Sequence, residues 1–503
     1  MHTIRYILQK GSYISKVDDY LYGSFIEHLG RAVYSGIYEP GHPEANNSGF
    51  REDVASMIQE LAVTTVRYPG GNFVSGYNWL DGVGPKEQRP VKFDYAWFSK
   101  ESNQFGINEF AHWCKQYHIE PMIAVNLGTG TPQDAGYFVE YCNTAYGTQY
   151  SDLRISHGEK EPHKFKLWCL GNEMDGEWQI GHLSAEDYVK KAREAAKIMK
   201  WVDRDIKLVA CGSSNSFQKT YPEWDRIVLE GLYEYIDFVS CHHYFENRTG
   251  NTVDFLASFK QMDDFIHTII ATADYVKAKL RTKKEMMISF DEWNIWSAES
   301  TPWQDYFSDG AHLYQEASPL LEQKYTFLDA LSFGGLMCSL LNHSDRVRMA
   351  SLAQLVNAIA PIMTRPNGEA VRQTIFWPFK MVSQYGRGMA LRYFANVPKV
   401  TTVHGEANLV QSAAVYNEEQ RQIAFFALNI DEKDSVNLEF KLEDFGEMKI
   451  SSHHILAGYQ LDDINDFNTP NKVIPIEKTI SFAQGYEVTL PPLSWNMVLF
   501  EMT

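Results

Sequence analysis

Lys166-Leu-Trp-Cys-Leu-Gly-Asn-Glu-Met-Asp-Gly176 decides how this chain is read. Its apolar run, Leu167-Trp168-Cys169-Leu170, has the length and composition of a buried strand, and it stops on Gly171 just before Asn172 and Glu173. In a (β/α)8 barrel the C-terminal strand ends form the catalytic face, because the loops that follow them converge over a packed interior. A stretch of the same shape follows 119 residues later, Met286-Met-Ile-Ser-Phe-Asp-Glu-Trp-Asn294, which runs into Asp291 and Glu292. If both are barrel strands, Glu173 and Glu292 face each other across one cleft, as cleavage of a glycosidic bond requires.

Outward from these two strands the chain alternates. Before them come strand-like Leu21–His28, helical spacing over 49–61, strand-like Thr64–Asn72 with the Gly70-Gly71 exit, a helix over Ile107–Tyr117 and a third strand at Pro121–Asn126. After Glu173 come a helix from Ser184 to Val202, opened by a capping serine, and strands at Lys207–Gly212 and Phe238–Tyr244. The apolar run Leu331–Asn342 is taken as the eighth strand, with helix before it. Eight strands over about 360 residues exceed the ~250 residues typical of this fold and predict long loops.

Past Tyr385 the period changes to two, as in Gln422–Asn429, Ser435–Leu442 and Tyr486–Leu493, which predicts an antiparallel β-sandwich. Residues 3–17 alternate loosely around Gly11 and predict a hairpin. The expected division is a catalytic barrel over 18–384 and a β-sandwich over 385–503, with residues 1–17 contributing a strand or hairpin to it.

A chain of 503 residues is more than one core usually serves. With 46 basic against 64 acidic residues, net −18, and no polybasic run, nucleic acid and anionic membrane are poor partners and a neutral ligand is favoured. The 28 Tyr, 29 Phe and 12 Trp suit stacking against sugars, although most aromatics in any fold are core. The six cysteines lack C-x-x-C spacing, which fits buried free thiols in a reducing compartment. Two basic residues interrupt the apolar ones at the N-terminus, no cleavage site follows, and no apolar run is long enough to span a bilayer, so a cytoplasmic protein is expected.

Five stretches, in order, resemble glycoside hydrolase family 51, the retaining α-L-arabinofuranosidases. They are Tyr22-Gly-Ser-Phe-Ile-Glu-His-Leu-Gly-Arg-Ala-Val-Tyr34, Arg67-Tyr-Pro-Gly-Gly-Asn-Phe-Val-Ser75, Trp168-Cys-Leu-Gly-Asn-Glu-Met-Asp-Gly176, Ser289-Phe-Asp-Glu-Trp-Asn294 and Met349-Ala-Ser-Leu-Ala-Gln-Leu-Val-Asn357. The resemblance implies Glu173 as general acid/base and Glu292 as nucleophile. It further implies that Glu27, Arg67, Asn72, Asn172, Tyr244 and Gln354 hold the sugar, and that the protein forms a homo-oligomer, commonly a hexamer in the family. The chain departs from the pattern at His243 and Phe245, which flank the shared His242 and Tyr244.

Each residue has a plainer alternative. A lone strand-end Glu commonly caps a helix or pairs with a base; two intact stretches make an acid pair the better reading. For Glu292 to stay ionised it needs donors, and Arg67 and Tyr244 are the candidates. Asn172 suits a hydrogen bond to the sugar 2-hydroxyl or a simple turn; Glu27 suits ligand binding or a structural pair with Arg67. Asn72 follows Gly70-Gly71, where the backbone can approach a ligand or merely turn tightly. His242-His243 lack further ligands at metal spacing, so no metal and no cofactor are expected and His242 is placed in the cleft as a hydrogen-bonding group. Trp178 and Trp296 suit stacking on the sugar or the leaving group, or rim packing. The expected activity is therefore an exo-acting retaining α-L-arabinofuranosidase (EC 3.2.1.55) on arabino-oligosaccharides, arabinan or arabinoxylan fragments. A related barrel glycosidase for β-xylosides or β-glucosides, and a non-catalytic carbohydrate-binding protein, are the alternatives.

Overall fold

The computed structural model describes residues 2–297, 313–478 and 486–503; Met1 of the N-terminal segment falls outside them. Among the described residues eight parallel strands close into a barrel: β1 (Gly23–Phe25), β2 (Thr65–Tyr68), β3 (Glu120–Ala124), β4 (Leu167–Leu170), β5 (Lys207–Ala210), β6 (Phe238–Phe245), β7 (Met287–Ile295) and β8 (Val347–Ala353). Their order around the barrel is their order in the chain, β8 closing against β1. Period-two alternation fills both sides. Leu167 and Cys169 of β4 point into the lumen with Met122 and Ala124 of β3. Trp168 and Leu170 point out to the helical layer, where Trp168 meets Phe138 edge-on at 5.4 Å. The lumen is thus packed with side chains, and only the strand ends are free for chemistry.

The eighth strand is not where periodicity placed it. Leu331–Asn342 belongs to a helix, Phe327–Asn342, and β8 follows it. That helix lies between barrel and β-domain, so its sides are apolar all round and show no amphipathic period. At its start Thr326 and Asp329 form a reciprocal cap, with Asp329 N–H donating to Thr326 Oγ1 (3.2 Å) and Thr326 N–H to Asp329 Oδ2 (2.8 Å). Gly334 and Gly335 let it pack closely. A β-carbon on Gly334 would sit 2.4 Å from the ring of Trp495.

Among the described residues the C-terminal part forms a nine-stranded sheet, antiparallel except where His2–Lys16 pairs in parallel with Val436–Glu443. It curls on itself. Phe440 and Phe500 stand on strands five places apart in the sheet order, yet their rings meet at 5.0 Å. Tyr6, Phe425 and Phe440 complete that inner core. The expected N-terminal hairpin is instead one 15-residue strand, His2–Lys16. Gly11, at φ +93°, accommodates a bulge: Leu8 pairs with Tyr393 and Tyr13 already with Leu391.

All six cysteines are free and buried, and no described helix is long and apolar enough to cross a membrane.

Candidate active site

Glu173 stands three residues beyond the end of β4, after Gly171 at φ +90°, and is itself left-handed at φ +44°. A non-glycine residue held there carries backbone strain, characteristic of a side chain that must be aimed. Glu173 O accepts from Gly176 N–H (2.8 Å) and Met174 O from Leu183 N–H (3.0 Å), which closes the turn. On the neighbouring loop Ser214 ties in through Asp175 Oδ2, by backbone N–H at 2.9 Å and hydroxyl at 3.0 Å.

Across the barrel, Glu292 lies within β7, opposite His242 of β6 in register, with Asn294 opposite Tyr244. In a regular strand Asp291 and Glu292 would face opposite sides. The register shift between Ser289 and Glu292 lets both reach His242: its Nε2 is 2.9 Å from Asp291 Oδ1 and its Nδ1 3.6 Å from Glu292 Oε2. The same Nδ1 lies 2.9 Å from Glu173 Oε1.

Arg67 of β2, 1% exposed, joins the two sides. Nη1 donates to Glu292 Oε1 and Nη2 to Asn172 Oδ1, both at 2.7 Å. Tyr244 donates its hydroxyl to Glu292 Oε2 at 3.0 Å. Both donors expected for Glu292 are therefore on it. Trp178, at the rim and about half exposed, donates its indole N–H to Glu173 Oε2 at 2.7 Å.

A second group adjoins the first. Glu27, just past β1, does not pair with Arg67. Its Oε1 accepts from Phe73 N–H (2.8 Å) and the Trp97 indole (3.0 Å), and its Oε2 from Gln354 (3.4 Å), while its own N–H donates to the Gln354 carbonyl at 3.1 Å. Gly71 is required here, since a β-carbon would lie 2.3 Å from Glu27 Oε2. Asn72, half-buried, opens the short helix Asn72–Gly76 directly after this glycine pair. Trp296 is half-buried and meets Tyr244 edge-on at 5.7 Å, beside Trp97 and Leu29.

Charge divides these groups. Burial works against a charged His242, but Glu292, Asp291 and Glu173 outweigh it and push the ring up to about 10. Burial opposes the Arg67 charge too, and Asp291 and Glu292 more than restore it. Two cations, His242 and Arg67, thus face the carboxyl groups of Glu173, Asp291 and Glu292. Burial, seconded by Glu173, raises the Glu292 carboxyl, against the pull of His242 and Arg67. Burial lifts Glu27 to about 8, so at neutral pH it is largely a neutral acid able to donate.

One oxygen each of Glu173 and Glu292 and a nitrogen of His242 lie within 4.8 Å of one another. Such a trio offers ligand atoms, yet an imidazolium donating from both nitrogens has no lone pair for a cation. The spacing falls near the ~5–5.5 Å of carboxyl pairs that work by nucleophile and acid, and well short of the ~6.5–9.5 Å that leaves room for a water.

Sequence reasoning brought together Glu173, Glu292, Arg67, Asn172, His242 and Tyr244, now one connected network, with Glu27 and Gln354 beside it. It missed Trp97 and Gln179. Gln179 accepts from Asn172 Nδ2 at 3.3 Å and donates to Ser75 Oγ at 2.5 Å. Neither carries a local sequence signal. The partnership of Asp291 with His242 was readable only as an acid beside an acid. His243 and Phe245, the departures from the family pattern, point out of the barrel: His243 packs among Phe217, Phe245 and Phe265, away from the cleft.

Two family models match, the α-L-arabinofuranosidase 1 domain over residues 57–267 and the α-L-arabinofuranosidase C-terminal domain over 291–494. The chain is 48% identical over 504 residues to an intracellular exo-α-(1→5)-L-arabinofuranosidase of Bacillus subtilis, covering 99% of each. It is 43% identical to an exo-α-(1→6)-L-arabinofuranosidase of Bifidobacterium longum, covering 98% of this chain and 96% of that one. A solved family 51 α-L-arabinofuranosidase from Bifidobacterium longum superposes with TM-score 0.94 at 39% identity over the full length of both chains.

Proposed function

This chain belongs to the family 51 α-L-arabinofuranosidases, and from that we propose that it removes terminal non-reducing arabinofuranosyl units from arabino-oligosaccharides by double displacement, Glu292 as nucleophile and Glu173 as acid and base. Membership replaces the β-xyloside and non-catalytic readings. The observation that carries the mechanism is the approach of the Glu173 and Glu292 carboxyl groups to within 4.8 Å.

In the first step a Glu292 oxygen forms a bond to the anomeric carbon as the bond to the glycosidic oxygen breaks, and that oxygen takes the proton of Glu173. Arg67 and Tyr244 orient Glu292 through their donors at 2.7 and 3.0 Å. Once Glu173 has lost its proton, the His242 ring and the Trp178 indole, 2.9 and 2.7 Å away, stabilise the carboxylate. In the second step Glu173 takes a proton from water, whose oxygen displaces Glu292 from the same carbon. Two inversions give retention. Asn172, its carbonyl fixed by Arg67, is assigned to the 2-hydroxyl, where a hydrogen bond gains strength as positive charge develops on the ring. Glu27, Asn72 and Gln354 are assigned to the remaining hydroxyls, with Trp296 as a wall.

The same reading takes 18–384 as the catalytic unit and 385–503, with the N-terminal strand, as its β-domain. The six free thiols and the relatives named as intracellular support a cytoplasmic location. A homo-oligomer, a hexamer by family resemblance, is part of the proposal.

The test is the anomeric configuration followed by proton NMR during hydrolysis of p-nitrophenyl α-L-arabinofuranoside. Early α-arabinose is expected, absent with Glu292→Ala, while Glu173→Ala is partly rescued by azide. Early β-product, or equal unrescued loss in both variants with the fold intact, would sink the assignment.

A further inference from the structure

The loop between β2 and the helix Ile107–Tyr117 carries a small hairpin, Lys92–Asp94 paired with Ser99–Glu101, and its pattern is inside out. On a surface strand the apolar residues normally face the protein. Here Asp94 is the buried one, at 5%, while Val91 is 65% exposed, Phe93 57% and Tyr95 66%. Val91 and Phe93 share a face by period two, Tyr95 continues it into the turn, and Tyr314, 48% exposed, meets Phe93 edge-on at 5.1 Å. Four apolar side chains held in solvent are a cost the fold has not relieved.

The hairpin is firmly held. Asp94 Oδ1 accepts from Ala96 N–H at 2.9 Å and its Oδ2 from Ser99 Oγ at 3.2 Å, while Tyr314 N–H donates to Phe98 O at 2.8 Å. Glu101 accepts from Asn103 N–H at 2.6 Å and lies 2.7 Å from His28 Nδ1. The turn of this same hairpin places the Trp97 indole on Glu27, inside the site. On its other side Tyr95 leans over Gly76, where a β-carbon would come within 3.4 Å of its ring and 3.3 Å of Ile180, two residues past Trp178. The exposed face is thus continuous with the mouth of the catalytic cleft.

We propose that Val91, Phe93, Tyr95 and Tyr314 form a platform outside the cleft on which the leaving-group sugars of an oligosaccharide lie while its terminal arabinofuranosyl unit is cleaved. The inference rests on the activity argued above and adds the kind of substrate it prefers, chains over short glycosides. Aromatic faces bind the C–H faces of neutral sugars, and the net charge of −18 disfavours an anionic occupant. From Val91 to Tyr95 the backbone spans roughly 13 Å at ~3.3 Å per residue, longer than one sugar ring. A second copy of the chain fits less well, because four partly exposed side chains fall short of the roughly 800 Å² per partner that a stable interface needs.

The test compares Phe93→Ser/Tyr95→Ser with the unmodified enzyme on p-nitrophenyl α-L-arabinofuranoside and on arabino-oligosaccharides of two to six units. The variant is expected to lose about five- to tenfold in kcat/KM on the longer chains, through KM, and to keep its rate on the nitrophenyl substrate, which also reports an intact fold. Unchanged kinetics on every chain length overturns the platform. So does an equal loss on both substrates, whether from misfolding of the hairpin or, when size-exclusion chromatography shows dissociation, from the face being an interface between copies. Failure of the unmodified enzyme on both substrates would instead overturn the activity itself.

Discussion

Between Glu173 and Asp291 stands a single imidazole, and the chemistry proposed for Glu173 depends on how that ring is charged. His242 is held near pKa 10 by the carboxylates around it, Asp291 among them at 2.9 Å. Replacing Asp291 by Asn removes one of those charges while keeping the shape. The ring then loses its proton at lower pH, so the alkaline limb of the kcat/KM profile is expected to move toward neutrality and kcat to fall about 10–100-fold. An unmoved alkaline limb would mean that His242 has no part in setting the proton of Glu173. The residues proposed to carry the chemistry were legible at this scale because each sits on or beside its own strand: Glu173 three residues past Leu170, Glu292 inside an apolar run. Trp97 was not, because its contact with Glu27 spans 70 positions and depends on the path of a loop.

At the scale of elements, the helix Phe327–Asn342 is the joint of the molecule. It packs against the strands of the C-terminal sheet on one side and the barrel on the other, and Gly334 against Trp495 sets the approach. Gly334→Ala puts a methyl group 2.4 Å from a buried indole with no flexible atom to yield. The expected cost is about 1–3 kcal/mol in chemical denaturation, with kcat on the nitrophenyl substrate kept in the fraction that stays folded. No loss of stability would show that the joint is looser than this packing implies. The helix was misread as a strand because burial on all sides erases the period by which helices are recognised. β8 was nonetheless present in the sequence, as the Met349 stretch.

For the whole molecule, burial of ionisable groups sets the response to pH. His243 and His453, each 1% exposed, are pushed by burial down to about 3 and about 4. Their unfolded value is ~6.5, so the unfolded chain takes up more protons and stability falls as pH drops below about 6.5. Glu27, Asp94 and Asp225 are raised by burial to about 8, 7 and 7, and His242 to about 10. For these the folded chain holds more protons, so stability is lost as pH rises through their folded values. Above about pH 6.5 the two histidines are neutral in both states and the remaining groups all act in one direction, so thermal unfolding from pH 6.5 to 10 is expected to give a Tm that falls as pH rises. A Tm still climbing at pH 9 would contradict these burials.

The sequence alone determined the two strand-end carboxylates, the barrel and the change to β-structure past residue 385, because each is written in the spacing of neighbouring residues. Only the tertiary structure decided which donors reach Glu292, that Glu27 turns to Trp97 and Gln354 instead of Arg67, and that Phe327–Asn342 is a buried helix. Those contacts join residues tens to hundreds of positions apart. They are selected by how loops and layers pack in space, and a one-dimensional period carries no record of that.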